Sequence, residues 1–364
     1  MLDFSISKEQ KMIKSEIAKL VKDLVIENAH DIDESGDIDP ATIQAIWEMG
    51  ISIASVPEEF GGFGDQSAPV DSTLILEELA YGDMAVAVAA TLPSLFIQPL
   101  VMFGTPAQQK KYLPLYCSEK YKACTLAVNE PHFQFDVVSL KTTAVAKSGD
   151  YVLNGEKCFV PMARTAEHIM VAAACDGKNQ LFIVESSNPG LHISDREKNL
   201  GLYGLESVEI KLVDCVVPAS DRVGEANGCD FGQILQRTRV GLCAMATGIC
   251  RASYEFARNY AKERIQFGEP IAHRQSVAFM IAEMAYEVDA IRLMTWQAAS
   301  KLAAGKDATR ESYLAKLYAG EKAMKICDYG VQVLGGHGYV RDYPMERFYR
   351  NSRGISILEA MATV

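Results

Sequence analysis

The sequence has no positive charge to spare. Against 36 lysines and arginines stand 47 aspartates and glutamates, a formal net charge of -11. No basic face is left to neutralise phosphates, so nucleic acid is set aside as a partner. A local pocket for an anionic nucleotide or coenzyme is still compatible with that balance. The nine cysteines include no Cys-x-x-Cys pair and no zinc-finger spacing, and no metal site is expected. They fall in apolar or helical stretches, as at Cys243, Cys250 and Cys327, and read as small buried hydrophobes in a reducing compartment. No uninterrupted apolar run reaches the ~20 residues of a membrane span. Met1-Leu2-Asp3-Phe4-Ser5 lacks the basic and apolar regions of a signal peptide, and the early acidic residues do not suit a transit peptide. The expectation is a soluble, cytoplasmic protein without membrane insertion.

What is present is a long chain of ordinary globular composition: 364 residues, 49% hydrophobic and 23% charged, enough for two or three packed domains. Residues 5 to about 30 carry Ile6, Met12, Ile13, Ile17, Leu20 and Val21 at helical spacing, opened by Ser7 and Gln10 as a capping box. The acidic stretch from Asp31 to Asp37 is expected to break that helix, and Pro40 to start another through Trp47. Gly61-Gly62-Phe63-Gly64 reads as a loop, with helices again from about residue 70 to 117. Near residue 122 the texture changes. Short β-type runs, including Tyr151-Val152-Leu153, Ile169-Met170-Val171-Ala172, Leu181-Phe182-Ile183-Val184 and Val208-Glu209-Ile210-Lys211-Leu212, alternate with turns such as Asn188-Pro189-Gly190. After Gly228 long helices return over 230–264, 274–304 and 308–335, with a short piece near 344–353. The layout is α+β: an N-terminal helical domain (1–121), a middle β-barrel or sandwich domain (122–226) and a C-terminal helical bundle (227–364).

Several segments in this order resemble the acyl-CoA dehydrogenases. They are Val56-Pro57-Glu58-Glu59-Phe60-Gly61-Gly62, the run from Gly104-Thr105-Pro106 to Leu113-Pro114, Asn129-Glu130-Pro131, Leu153-Asn154-Gly155-Glu156-Lys157, Leu200-Gly201-Leu202, Arg264-Ile265-Gln266-Phe267-Gly268, and Gln332-Val333-Leu334-Gly335-Gly336-His337-Gly338-Tyr339. The resemblance runs from about residue 1 to residue 359. It implies a C-terminal four-helix bundle that holds a tetramer together, an acyl-CoA substrate, FAD as cofactor, and an electron-transferring flavoprotein as acceptor.

Desaturating an acyl thioester takes a proton from Cα and a hydride from Cβ, so a base must lie against a weakly acidic C–H. The resemblance places the family's base at Glu359, inside Ile357-Leu358-Glu359-Ala360-Met361. Apolar neighbours there are expected to desolvate the carboxyl and raise its pKa; a surface or helix-end carboxylate is the alternative. The position of the base in other family members falls on Thr238, which cannot do that work. By the same resemblance Arg239 helps bind the CoA ester, with a helix-face ion pair as its alternative, and Phe231 and Phe135 belong to the substrate side. Relatives often carry an Asp where Gln236 stands.

The resemblance divides the flavin contacts into two sets, because each cofactor lies between subunits. Arg264 faces the pyrophosphate of the neighbour's flavin, Phe267 its adenine half, and Gln332, Gly335 and Gly336 its adenosine. For the glycines, a plain turn between helices is the alternative. Asn129 and Phe159 belong to the subunit's own flavin. On that side the sequence departs from the family: Asn129 replaces Thr or Ser, His132-Phe133-Gln134-Phe135 replaces a small-residue run, Phe159-Val160-Pro161 replaces an aromatic-Ile-Thr segment, and Ala360-Met361 replaces Gly-Thr. The sequence reaches Val364 before the family's closing helix. These changes leave three possibilities open. The chain is a dehydrogenase for an unusual acyl group, a cofactor-poor subunit of a hetero-oligomer with a homologous partner, or a thioester binder, on CoA or acyl carrier protein, running enoyl reduction.

Overall fold

The computed structural model describes residues 6–64 and 69–364. The predicted helix start at residue 5, and the reading of Met1–Ser5, lie outside these residues. Helix α1 (Lys8–Leu20) opens on the predicted capping box. Ser7 Oγ accepts from the Gln10 N–H at 3.1 Å and Gln10 Oε1 accepts from the Ser7 N–H at 2.8 Å, satisfying two donors the helix leaves free. A π-helical stretch, Val21–Ile26, follows.

The acidic stretch does not break the chain where expected. Helix α2 (Ala29–Ser35) runs through it and ends at Gly36, whose φ of +73° favours glycine. The reason lies in Asp33, which is buried and paired with Arg341 and, at 2.6 Å, with Arg350. Part of the acidic run is thus a docking point for C-terminal arginines rather than a solvated breaker. Helix α3 (Pro40–Trp47) starts as predicted, with Asp39 as N-cap and proline in the first turn. Helices α4 (Pro69–Gly82), α5 (Met84–Thr91), α6 (Ser94–Phe103) and α7 (Pro106–Tyr112) complete the domain. Among the described residues no single helix is long and apolar enough to cross a membrane; α5 and α6 pass that test only as a pair bent by 41°, and α5 is buried along its whole length.

The middle domain is one seven-stranded sheet: β1 (Cys124–Ala127), β2 (Thr143–Lys147), β3 (Asp150–Pro161), β4 (His168–Cys175), β5 (Lys178–Glu185), β6 (Leu191–Arg196) and β7 (Ser207–Val217). The order is β1-β4-β2-β3-β7-β6, with β5 also pairing β4. Strands β1 and β6 were not in the sequence reading. β1 is four residues long and wholly buried, and β6 is mostly exposed, so neither shows a clean alternation. A buried ion pair ties the sheet together. Lys157 Nζ, fully buried, lies 2.9 Å from Glu130 Oε1 and donates to the Val128 carbonyl at 3.1 Å. Glu130 also accepts the Lys141 and Thr142 N–H groups, each at 2.8 Å. Burial pulls the Lys157 ammonium down to about 8 against the pull of Glu130. Burial works to raise Glu130, but Lys157 and the hydrogen bonds outweigh it and hold the carboxyl below its ordinary range.

The C-terminal domain contains α8 (Phe231–Glu263), a two-stranded hairpin of β8 (Ile265–Gln266) and β9 (Glu269–Pro270), α9 (Gln275–Ala303), α10 (Thr309–Leu334), and the short α11 (Met345–Ser352) and α12 (Gly354–Ile357). Helix α4 packs closely on α8 at Gly248, where a Cβ would stand 2.2 Å from the Glu77 carbonyl oxygen. Around that crossing Arg251 bonds Glu77 and Glu78 at 2.8 and 2.7 Å, Arg292 reaches Glu77 at 3.0 Å, and Lys14 reaches Glu78 at 3.0 Å. Four helices from two domains meet there, and this fixes α8 relative to the N-terminal domain. The segment after α12 returns along α8, passing so close that a Cβ on Gly241 would lie 2.7 Å from the Thr363 backbone nitrogen.

Candidate active site

That return places residue 359 against the bundle. Glu359 is 7% exposed. Its Oε1 accepts from Lys316 Nζ on α10 at 2.9 Å and lies 3.5 Å from Arg239 Nη2 on α8. The Glu359 N–H donates to Asn129 Oδ1 of the middle domain at 3.2 Å, so three separate parts of the chain hold this one residue. Among the described residues, two buried groups in the cluster have no hydrogen-bond partner: the acceptor Glu359 Oε2 and the donor Arg239 Nε. The Arg239 guanidinium also sits over the Tyr313 ring, 5.3 Å from its centre. Cys243, one turn beyond Arg239 on α8, is pushed up to about 12 by burial and is a neutral thiol.

The sequence predicts a Glu359 desolvated by apolar neighbours. It is buried, but two cations reach one of its oxygens. The helix-face ion pair weighed for Arg239 is present, and Glu359 is its carboxylate. Lys316 was missed by sequence reasoning: a lysine within Leu314-Ala315-Lys316-Leu317 looks like an ordinary charge on an amphipathic helix. Its burial follows only from how the 358–364 segment lies across the bundle. Asn129, expected on the flavin side, accepts the Glu359 N–H through its Oδ1. Ala360, where relatives carry glycine, has φ +54° and is 3% exposed, so the chain keeps the glycine-type backbone with a residue that strains it.

Leu358, the preceding residue, lines a pocket of about 160 Å³ together with Phe159, Leu202, Arg350 and Ile357. Phe159 stands at a β-bulge of β3, where pairing with β7 shifts register, and has φ +52°. Its N–H donates to Glu197 Oε1 at 3.2 Å. A bulge with left-handed backbone at a bulky residue re-aims that side chain, as strands do beside binding sites. Pro161 is buried at the end of β3 opposite Ser207 and has no N–H to offer. Phe135 is half-buried against the core while Phe133 is 94% exposed. Phe231 is buried at the start of α8, behind the Asp230 N-cap. Gln236 is taken up structurally, donating to Asp307 and Thr309 and accepting the Ala308 N–H.

Arg264, Phe267, Gln332, Gly335 and Gly336 come together in a second site, a groove of about 680 Å³ where the ends of α8 and α10 meet the β8–β9 hairpin. Tyr260 and His337 line it too, joined at 2.6 Å between hydroxyl and Nδ1. A Cβ on Gly335 or Gly336 would meet nothing within 4 Å, so both glycines present bare backbone to open space. Phe267 is 92% exposed with φ +56°, and Arg274 lies against its ring.

A helical domain, a β-sheet domain and a long-helix domain thus follow in that order, with a buried carboxylate where the last two approach. Family models for the acyl-CoA dehydrogenase N-terminal, middle and C-terminal domains match residues 7–120, 125–215 and 231–359. The chain belongs to the acyl-CoA dehydrogenase family. It is 32% identical to an acyl-CoA dehydrogenase of Bacillus subtilis over 363 residues, covering 97% of this chain and 95% of that one. It is 33% identical to a subunit of the caffeyl-CoA reductase–Etf complex of Acetobacterium woodii over 367 residues, covering 98% and 96%. The fold matches butyryl-CoA dehydrogenase from Megasphaera elsdenii with a TM-score of 0.88, 30% identity and coverage of 100% and 96%.

The bundle-end groove fits the adenosine diphosphate part of FAD. It supplies a guanidinium for bidentate phosphate contacts, bare glycine backbone and an exposed aromatic face. The Phe159 pocket fits a flavin ring only in part, since its volume is about half the ~300 Å³ at which small-molecule sites usually begin.

Proposed function

We propose that this chain is a flavin-dependent oxidoreductase acting on the Cα–Cβ bond of an acyl-CoA thioester, with Glu359 as the base at Cα. The observation that carries the reading is the pair of unpartnered groups in one buried cluster, the acceptor Glu359 Oε2 and the donor Arg239 Nε. Leaving buried polar groups unpaired costs about 1–3 kcal/mol each, and an enolisable thioester complements both: Cα–H meets the acceptor and the carbonyl oxygen the donor. As the C–H bond breaks the proton neutralises Glu359 and the negative charge moves to the thioester, which leaves the Lys316 and Arg239 cations beside a neutral acid and an enolate. Asn129 keeps the Glu359 backbone in place throughout. FAD, when bound, supplies the two-electron hydride acceptor or donor. Arg264, Phe267, Gln332, Gly335 and Gly336 would hold its adenosine diphosphate half from a neighbouring subunit, and Phe159 and Leu358 would border its ring. An oligomer, domain limits at 121/122 and 226/227, and a cytoplasmic station follow this reading; free, mostly buried thiols support the last. So does exchange of electrons with an electron-transferring flavoprotein, supported by the relative named as a subunit of an Etf complex.

The test is anaerobic bleaching of the flavin by butanoyl-CoA, or reoxidation of the reduced flavin by its enoyl-CoA, with wild type and Glu359→Gln compared. Absorbance that stays unchanged in wild type with both ligands rejects the reading. A second reading, in which this chain completes the flavin site of a homologous partner and holds little flavin itself, is favoured by the small Phe159 pocket and by Pro161. A colourless protein that turns yellow only when co-purified with such a partner would replace the first reading with the second.

A further inference from the structure

Glu359 has two carboxylate oxygens, and the chain treats them differently. Oε1 receives both cations, Lys316 at 2.9 Å and Arg239 at 3.5 Å, while Oε2 is buried with no partner. We infer that Lys316 is a positioning residue: with Arg239 it immobilises Oε1, which leaves Oε2 as the one oxygen able to take a proton from Cα. This rests on the reading of Glu359 as the base.

An orphaned carboxylate oxygen in the interior is costly, and sharing the two cations between both oxygens would relieve that cost. Instead both cations converge on one oxygen. Among the described residues neither Lys316 nor Arg239 has another ion-pair partner, so the cluster holds two positive charges and one negative. That surplus suits a substrate that becomes anionic during the reaction. The neutral Cys243 thiol does not compete for either cation. The Lys316 side chain is 12% exposed and arrives from α10, whereas Arg239 arrives from α8. The carboxylate is therefore braced from two helices and cannot rotate to exchange its oxygens without breaking a buried ion pair. In the step itself the Cα–H bond breaks, an O–H bond forms at Oε2, and the electron pair stays on the thioester as its enolate. Return of a proton or deuteron to Cα reverses it with no oxidant.

The step is read by uptake of deuterium at Cα of butanoyl-CoA in D2O, followed by NMR with the full chain. Lys316→Met should slow exchange at saturation by about 10- to 100-fold while the KM for butanoyl-CoA stays within about twofold. Lys316→Arg, which can still brace Oε1, should recover most of the rate. Should Lys316→Met fail to fold, Lys316→Gln carries the same comparison. Exchange by the lysine variant at the wild-type rate, a loss that appears only in KM, or no rescue by arginine overturns the role of Lys316 and leaves Glu359 as base. Absence of exchange in wild type overturns both.

Discussion

The groove at the bundle end and the pocket beside Phe159 lie in the same chain but are built in opposite ways. The groove is about 680 Å³ and offers a guanidinium, a glutamine amide and two bare glycines. The pocket is about 160 Å³, lined by three leucines, an isoleucine and a phenylalanine together with Arg350, Arg353, Asn199 and Asn351, and includes a residue in left-handed backbone. The first is suited to binding a polar, charged half-molecule. On the proposed reading the second lies near the chemistry, since it is lined by Leu358, the residue before Glu359. Their difference implies a division of labour in which the groove carries cofactor affinity and the pocket side carries the reaction. Changes in one should leave the other's observable unmoved.

The largest expected effect belongs to the pocket side. Glu359→Gln should cost about 10²–10⁴-fold in exchange at Cα with FAD affinity unchanged; a parallel loss of FAD would break the comparison. Next is the pair that supports the sheet behind the pocket. Lys157→Met leaves Glu130 buried and unpaired and should destabilise the chain by about 3–5 kcal/mol, read by denaturant unfolding. In the groove, Arg264→Ala should weaken FAD binding by about 1.5–3 kcal/mol, roughly 10- to 100-fold, measured by flavin fluorescence, while exchange at Cα persists. A smaller effect comes with acid. Burial works to raise Glu78, but Arg251 and Lys14 outweigh it and hold its carboxyl below the ordinary range, as Lys157 and backbone donors do for Glu130. Both carboxyls therefore bind protons less readily folded than unfolded. Their contribution is present above the usual glutamate value of about 4.3 and is lost as pH falls through the lower folded values. Thermal unfolding measured from pH 6 down to about 3 should show that decline, and Glu78→Gln should flatten part of it. The smallest change is Ala360→Gly, which relieves the left-handed alanine and should stabilise by less than about 1 kcal/mol, since glycine's own entropy cost offsets part of the gain.

The parts legible in the sequence were those with local causes. The Ser7–Gln10 capping box, Pro40 at a helix start and the three long C-terminal helices follow from spacing and propensity, and the structure places them there. The motif around Gln332-Gly335-Gly336 and Arg264 could be read because its residues lie in two short segments that one fold brings together. What escaped depends on distant contacts. Asp33 looked like part of a breaker and is a buried partner of Arg350. Lys316 looked like a surface charge and meets a carboxylate 43 positions away. Asn129 meets a backbone 230 positions away. No periodicity records such pairs, since each residue is ordinary in its own segment.

The most direct measurement of the division between the two regions is the affinity of the purified protein for FAD against FMN, which carries the same ring without the adenosine half. The account predicts that FAD binds more tightly by about tenfold or more, and that Arg264→Ala erases most of the difference. Equal affinities for FAD and FMN, insensitive to Arg264, would mean that the Phe159 side holds the cofactor and would contradict it.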